Sequence, residues 1–72
     1  MDQVTLQLNA EGMRSFKIAI YNVMGQVLYN TDISNASMPF TKNINIRDYS
    51  RGMYLMVITS GYKTLSNRII KL

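Results

Sequence analysis

The chain carries, from Asp48 to Gly61, the sequence DYSRGMYLMVITSG, which is its most distinctive segment. It predicts a turn closed by Gly52, a strand over residues 53–59 and a second turn at Ser60-Gly61, because β-branched and aromatic residues favour strands and glycine favours turns. A final strand over residues 63–71 follows. The segment has a specific pattern but no group of reactive side chains, so it indicates a domain that is recognised rather than one that catalyses.

The amino-acid composition further limits the classes of function that the chain can have. Seventy-two residues make one small domain with a single thin core. The chain has no cysteine and no histidine, and its acidic residues are scattered beside turns or chain ends, at Asp2, Glu11, Asp32 and Asp48. The commonest metal ligands and general bases are therefore missing, and a paired-carboxylate or hard-cation site is poorly supplied. We expect no enzyme activity, no catalytic residue, no metal and no cofactor.

The net charge of +4 is the one global property that hints at a partner. The basic residues are spread along the chain, at Arg14, Lys17, Lys42, Arg47, Arg51, Lys63, Arg68 and Lys71. A nucleic-acid-binding domain more often clusters them between aromatic residues, so we expect no nucleic-acid partner. The longest apolar run, residues 53–58, is far shorter than the roughly 18 residues that span a bilayer. The N-terminus does not resemble a signal peptide, and we treat the chain as a fragment of a longer protein.

Alternation of apolar and polar residues dominates the whole chain. It predicts strands at residues 4–8, 16–23, 26–29, 42–46, 53–59 and 63–71, with a short edge piece at 40–41. The polar stretch 30–39 is predicted to be a long loop, and Gly25 to close a hairpin. About six or seven short strands with frequent turns indicate an all-β fold, which we expect to be a small immunoglobulin-like antiparallel β-sandwich.

The strand over residues 53–59 has two apolar faces. Tyr54, Met56 and Ile58 point one way, and Met53, Leu55 and Val57 point the other. Such a strand is either covered on both sides or presents a hydrophobic stripe to a partner. We favour the first interpretation, with the 30–39 loop folded over the second face. We expect further inward side chains at Ile44, Ile46, Leu65 and Ile69, and exposed ones at Met38 and Met53.

Two segments together resemble a known family. One is the sequence IAIYNVMGQVL from Ile18 to Leu28, with its apolar strand, Tyr-Asn, glycine and new apolar strand. The other runs from Ile44 through Gly52 and Tyr54 to Lys71 near the end of the chain. Their order and spacing resemble the type A C-terminal sorting domain of the type IX, or Por, secretion system of certain Gram-negative bacteria.

The matching residues are Tyr21, Asn22, Gly25, Gly52, Tyr54 and Lys71, while Gln26 departs from the family's usual arginine. Gly25, Gly52 and Gly61 stand where tight turns are predicted. The Pro-Asn-Pro segment that opens the family's domain is missing, so residues 1–72 are expected to be one sorting domain cut just after it. That cut would leave an open sheet edge, through which a homodimer could form.

The resemblance implies an address label at the end of a cargo protein. The label would be read in the periplasm by the outer-membrane translocon, and a sortase-like surface protease would then cleave it, leaving the cargo on the cell surface or secreted. We expect docking through the final hairpin, at Met53, Leu55, Val57, Lys63, Arg68, Ile69, Ile70, Lys71 and Leu72. The alternatives are an immunoglobulin-like spacer and an adhesion or carbohydrate-binding module, the latter disfavoured by the absence of tryptophan.

Overall fold

Residues 3–61 and 63–72 are described by a computed structural model, and within them six antiparallel strands and no helix are present. The strands are β1 (Gln3–Leu8), β2 (Phe16–Tyr21), β3 (Val27–Ile33), β4 (Phe40–Asn45), β5 (Gly52–Ser60) and β6 (Lys63–Lys71). No helix long and apolar enough to cross a membrane occurs in this part of the chain.

The strands form two sheets whose inner faces enclose the core. One sheet pairs β1 with β4, and the other has the order β3-β2-β5-β6. The most completely buried side chains are Ile18, Ile20, Ile44 and Ile46. Phe16 of β2 meets Phe40 of β4 edge to face, with ring centroids 5.1 Å apart, which ties the two sheets together. The fold is therefore a small antiparallel β-sandwich, as the alternation predicts.

Strand β3 is longer than the sequence predicts. Residues 30–33, predicted to begin a loop, continue the strand and pair with β2, so that Thr31 lies opposite Ile18 and Ile33 opposite Phe16. The prediction was wrong because β3 is an edge strand with one outward face, where polar residues are tolerated. Residues 40–41 likewise belong to one continuous strand, β4, rather than to a separate edge piece.

The outer face of β5 is not covered, contrary to the interpretation we favoured. Met53 and Leu55 are exposed, and Val57 is only half-buried. The loop expected to cover them runs elsewhere, because its own apolar side chains pack against the core, and its Ala36 N–H bonds to the Arg14 carbonyl at 2.9 Å. Ala36 and Met38 then pack against the core, so Met38 is half-buried rather than exposed. The strand presents a hydrophobic stripe.

Two apolar side chains differ from their predicted places. Strand β2 ends at Tyr21, so Val23 lies in the following turn and not in the strand. Leu65 faces the same side of β6 as the buried Ile69, but it is 36% exposed. A two-stranded sheet cannot cover all four strands of its partner, and a cavity of about 160 Å³ opens beside Leu65 between β1 and β6.

Candidate functional site

The turn between β2 and β3 is organised by Asn22. Its side-chain oxygen accepts hydrogen bonds from the backbone N–H groups of Met24 at 2.9 Å and Gln26 at 3.0 Å. Its side-chain amide donates to the Gln26 side-chain oxygen at 2.7 Å. Gly25, at φ 83°, takes the left-handed conformation that costs other residues about 1–2 kcal/mol. Asn22 and Gly25 therefore have local structural reasons for their identity.

Lys71, at the end of β6, holds the turn between β4 and β5 in place. The Lys71 ammonium donates to the carbonyl oxygens of Ile46, Arg47 and Tyr49, each at 2.8 Å. An ammonium has three N–H donors, so these bonds use them all. The turn also closes on itself, since the Tyr49 N–H bonds to the Ile46 carbonyl at 3.0 Å. Lys71 thus satisfies three backbone acceptors that no strand ladder reaches.

Two tyrosines complete this corner of the molecule. The Tyr54 hydroxyl donates to the carbonyl of Ser50, four residues upstream, in the manner of the tyrosine corner of β-sandwich proteins. The rings of Tyr49 and Tyr54 pack with centroids 5.2 Å apart. Burial raises the pKa of the Tyr49 hydroxyl above its ordinary value of 10.0, with smaller contributions from Tyr29 and Tyr54. Gly52 enters β5 at φ 146°, which glycine adopts at least cost.

The residues predicted for docking fall into separate groups. Met53 lies directly opposite Ile70, and Leu55 opposite Arg68, so these four share the outer face of the larger sheet. Val57 lies farther along the same face of β5 and is half-buried. The strand register therefore gathers one part of the predicted set into a surface.

The rest of the predicted docking set is not on that surface. Lys63 pairs with Ser60 at the opposite end of β5 and β6. Ile69 is only 8% exposed and points into the core, while the Lys71 ammonium is bonded to the β4–β5 turn. Leu72 is exposed beyond the end of β6.

Sequence reasoning missed the apolar tip of the β2–β3 turn. Val23 is 74% exposed and Met24 is 79% exposed, and Val27 and Leu28 after them are also exposed. Because Tyr21 pairs with Leu55, this turn lies at the same end of the sheet as Met53. Turns usually carry Gly, Asn, Asp or Ser, so two consecutive apolar residues before Gly25 were a usable signal. The assignment of Val23 to a strand concealed it.

We call this surface the apolar end, and it consists of Val23, Met24, Val27, Leu28, Met53, Leu55 and Ile70. Between the turn and β5 lies a groove of about 320 Å³, lined by Asn22, Val23, Met53, Tyr54, Leu55 and Arg68. The groove offers aliphatic surface and one guanidinium. Across residues 3–61 and 63–72, no group of three or more His, Cys, Asp or Glu side chains is placed to hold a metal ion.

A comparison with protein families decides the identity of the chain. The family model for the secretion system C-terminal sorting domain matches residues 1–72, the whole chain. The chain belongs to this family. Neither the curated proteins nor the solved structures gave a match. The resemblance drawn from the sequence motifs is confirmed, and the domain carries a sorting signal of type IX secretion.

Membership in the family defines the general setting of this sorting domain. It interacts with the type IX secretion machinery, and the protein that carries it is exported to the cell surface or secreted. The motif residues Asn22, Gly25 and Lys71 build the two turns at one end of the sandwich. The exposed side chains at that end come from other positions.

Proposed function

We propose that this sorting domain is the export signal of a longer cargo protein and that its partner is the outer-membrane translocon of the type IX system. The cargo crosses the inner membrane first, and the domain folds in the periplasm before the translocon reads it. The observation that carries the proposal is the match of the whole chain to the sorting family. The apolar side chains exposed at one end of the domain support it, because such surfaces commonly mark protein interaction sites.

The fate of the cargo forms the second part of the proposal. After export, a sortase-like surface protease removes the domain, and the cargo is attached to an anionic lipopolysaccharide or released. Similarity to the sorting family is the basis for this step. Cleavage can be tested by following the molecular mass of a surface-exposed reporter, which should fall by about the 8.3 kDa of the domain.

The domain itself acts by being recognised and not by catalysis. Its composition lacks cysteine and histidine, and its most distinctive polar side chains, those of Asn22 and Lys71, are engaged in turns. The final hairpin provides part of the docking surface, through Met53, Leu55, Arg68 and Ile70. A spacer or a carbohydrate-binding module would be indicated instead if the domain proved dispensable for export.

An export assay in a bacterium that possesses this secretion system tests the proposal. A signal peptide and a fluorescent reporter are fused ahead of the domain, with and without a preceding Pro-Asn-Pro segment. We expect reporter at the cell surface or in the medium, and in the periplasm once the translocon is disabled. Reporter that stays in the periplasm with a folded domain, in both fusions, would overturn the sorting role for this chain.

Truncation is a poor test of this function. Removing residues 69–72 would delete the buried Ile69 together with the Lys71 ammonium that holds the β4–β5 turn. Loss of export would then follow from unfolding as readily as from loss of a docking site. Substitutions on the exposed surface of the complete domain separate these causes.

A homodimer through an open sheet edge is a further part of the proposal. In the described residues, β1 and β4 each have one neighbour, and β3 and β6 are the outer strands of the larger sheet. Such edges present unpaired backbone groups that can add a strand from a second copy. Light scattering of the purified domain checks this, and a strict monomer at high concentration would contradict it.

A further inference from the structure

The exposed aliphatic side chains of this domain are concentrated at one end. Among the described residues, the large exposed hydrophobic side chains are those of the apolar end together with Leu72, and only Leu65 lies elsewhere. Scattered single residues of this kind are ordinary on protein surfaces, whereas a concentrated set indicates an interaction site. The set spans the β2–β3 turn, the start of β3 and the outer faces of β5 and β6.

Arg68 gives this surface its charge. It lies opposite Leu55 and lines the same groove as Val23 and Met53. No acidic residue lines the groove. Asp32 pairs with Lys17 toward the other end of the sheet, and Asp48 lines a neighbouring cavity together with Arg51. A planar guanidinium beside an apolar wall suits a carboxylate, which it can bind through two parallel hydrogen bonds.

We propose that the secretion machinery reads the apolar end through a protein segment that carries an aliphatic side chain and a neighbouring carboxylate. The aliphatic group fills the groove between Val23 and Leu55, and the carboxylate pairs with Arg68. This inference rests on the proposed function, and it places recognition on the β2–β3 turn as well as on the final hairpin. The occupant is a protein because the groove holds a single arginine, whereas an anionic lipid surface is read by a cluster of cations.

The export assay with surface variants of the complete domain tests this proposal. Val23→Ser combined with Met24→Ser removes the turn tip, and Arg68→Glu reverses the charge. We expect each to reduce export by about tenfold or more, because a few residues near the centre of an interface carry most of its binding free energy. Arg68→Lys should retain part of the export, because lysine keeps the charge without the planar fork.

Two controls remove equivalent groups outside the apolar end. Lys63→Glu reverses a charge on the same strand as Arg68, and Leu65→Ser removes an exposed aliphatic side chain from the other face of β6. Both should export normally. Urea unfolding of each purified domain should show wild-type midpoints for the turn-tip and Arg68 variants, because the altered side chains are exposed.

The outcomes separate this inference from the function on which it rests. A wild-type domain that fails to direct export overturns the proposed function and this inference together. A wild-type domain that works, with turn-tip or Arg68→Glu variants that export equally well, overturns this inference alone. Wild-type binding to vesicles of phosphatidylglycerol and phosphatidylcholine, lost in the turn-tip variant, would also overturn it, since the occupant would then be lipid.

Discussion

Asn22 and Lys71 perform similar tasks at two turns of this sorting domain. Each provides a side chain that satisfies backbone groups left without a ladder partner, N–H groups in the case of Asn22 and carbonyls in the case of Lys71. Backbone polar groups that lack partners are costly when they are shielded from water. The identity of both residues therefore follows from local hydrogen bonding.

Replacing Lys71 by methionine should destabilise the domain. The substitution keeps an apolar chain of similar length but leaves the carbonyls of Ile46, Arg47 and Tyr49 without the ammonium. We expect a loss of about 1–3 kcal/mol in the free energy of unfolding, the usual cost of removing a charged hydrogen-bonding partner. Urea denaturation measures it. Lys63→Met, on the same strand, should change the midpoint little. Equal effects at both sites would contradict a stabilising role for the Lys71 hydrogen bonds.

Asn22 and Gln26 should be replaceable together by aspartate and arginine. Gln26 stands where the resembling family usually has arginine, and here the Asn22 and Gln26 side chains bond at 2.7 Å. Aspartate retains the oxygen that accepts from the turn, and arginine would then face it with opposite charge. We expect a favourable coupling of about 0.5 kcal/mol in a double-mutant cycle, small because the pair is exposed. The coupling should weaken at high salt, and strictly additive effects would exclude it.

The phenol of Tyr49 should make the free energy of unfolding decrease as the pH rises through the alkaline range. Burial raises the pKa of Tyr49 in the folded domain above 10.0, so the unfolded chain loses this proton at lower pH than the folded one. The contribution is fully present below the unfolded pKa and is lost as pH rises through the folded pKa. We expect the urea midpoint of Tyr49→Phe to fall less than that of the wild type between about pH 9 and pH 11. Parallel curves would contradict the shift, because all other titrating groups are common to both proteins.

Among the strands, the pattern of apolar and polar residues predicts those with one apolar and one polar face, or with two apolar faces. The bounds of β6 and the hairpin closed at Gly25 follow from alternation and glycine placement. The second half of β3 does not, because Asn30, Thr31 and Asp32 read as a loop while their pairing with β2 makes them a strand. Long-range pairing decides an edge strand of this kind, and residue preferences do not reveal it.

Truncating the two inward aliphatic residues of β6 should lower the free energy of unfolding by different amounts. Ile69→Ala removes a side chain buried opposite Tyr54, and we expect a loss of about 2–4 kcal/mol. Leu65→Ala acts on a residue that is 36% exposed beside an open cavity, so we expect a loss of less than about 1.5 kcal/mol. Urea unfolding of the two variants checks the order. Equal losses would show that β6 is covered along its whole length.

For the molecule as a whole, the sequence is sufficient to predict the fold class and the family, but it does not show which surface stays exposed. The two apolar faces of β5 are visible in the sequence, yet which one stays open depends on where the loop after β3 packs. That loop packs Ala36 and Met38 against the core and bonds through the Ala36 N–H to the Arg14 carbonyl, away from the outer face of β5. Such a contact joins segments far apart in the chain, and no periodicity encodes it.

In the candidate site too, the sequence identifies individual residues, whereas only the structure shows which distant residues come together. Spacing identified Gly25, Gly52 and Lys71 through resemblance, but only the structure shows that the Lys71 ammonium reaches across to the β4–β5 turn. Val23 and Met24 were readable as apolar residues before a turn glycine. Their meeting with Met53 and Arg68 requires the register of β2 against β5 and of β5 against β6.

The Lys71 contact also makes closure of the β4–β5 turn depend on the presence of β6. The Tyr49 carbonyl lies 22 residues before the ammonium that binds it, so the β4–β5 turn reaches its closed form only when β6 is in place. A chain interrupted before residue 71 retains an open turn and lacks the pairing of Gly52 with Lys71. An exporter that accepts only the closed domain would therefore pass cargo that was translated through to its label and hold back unfinished copies.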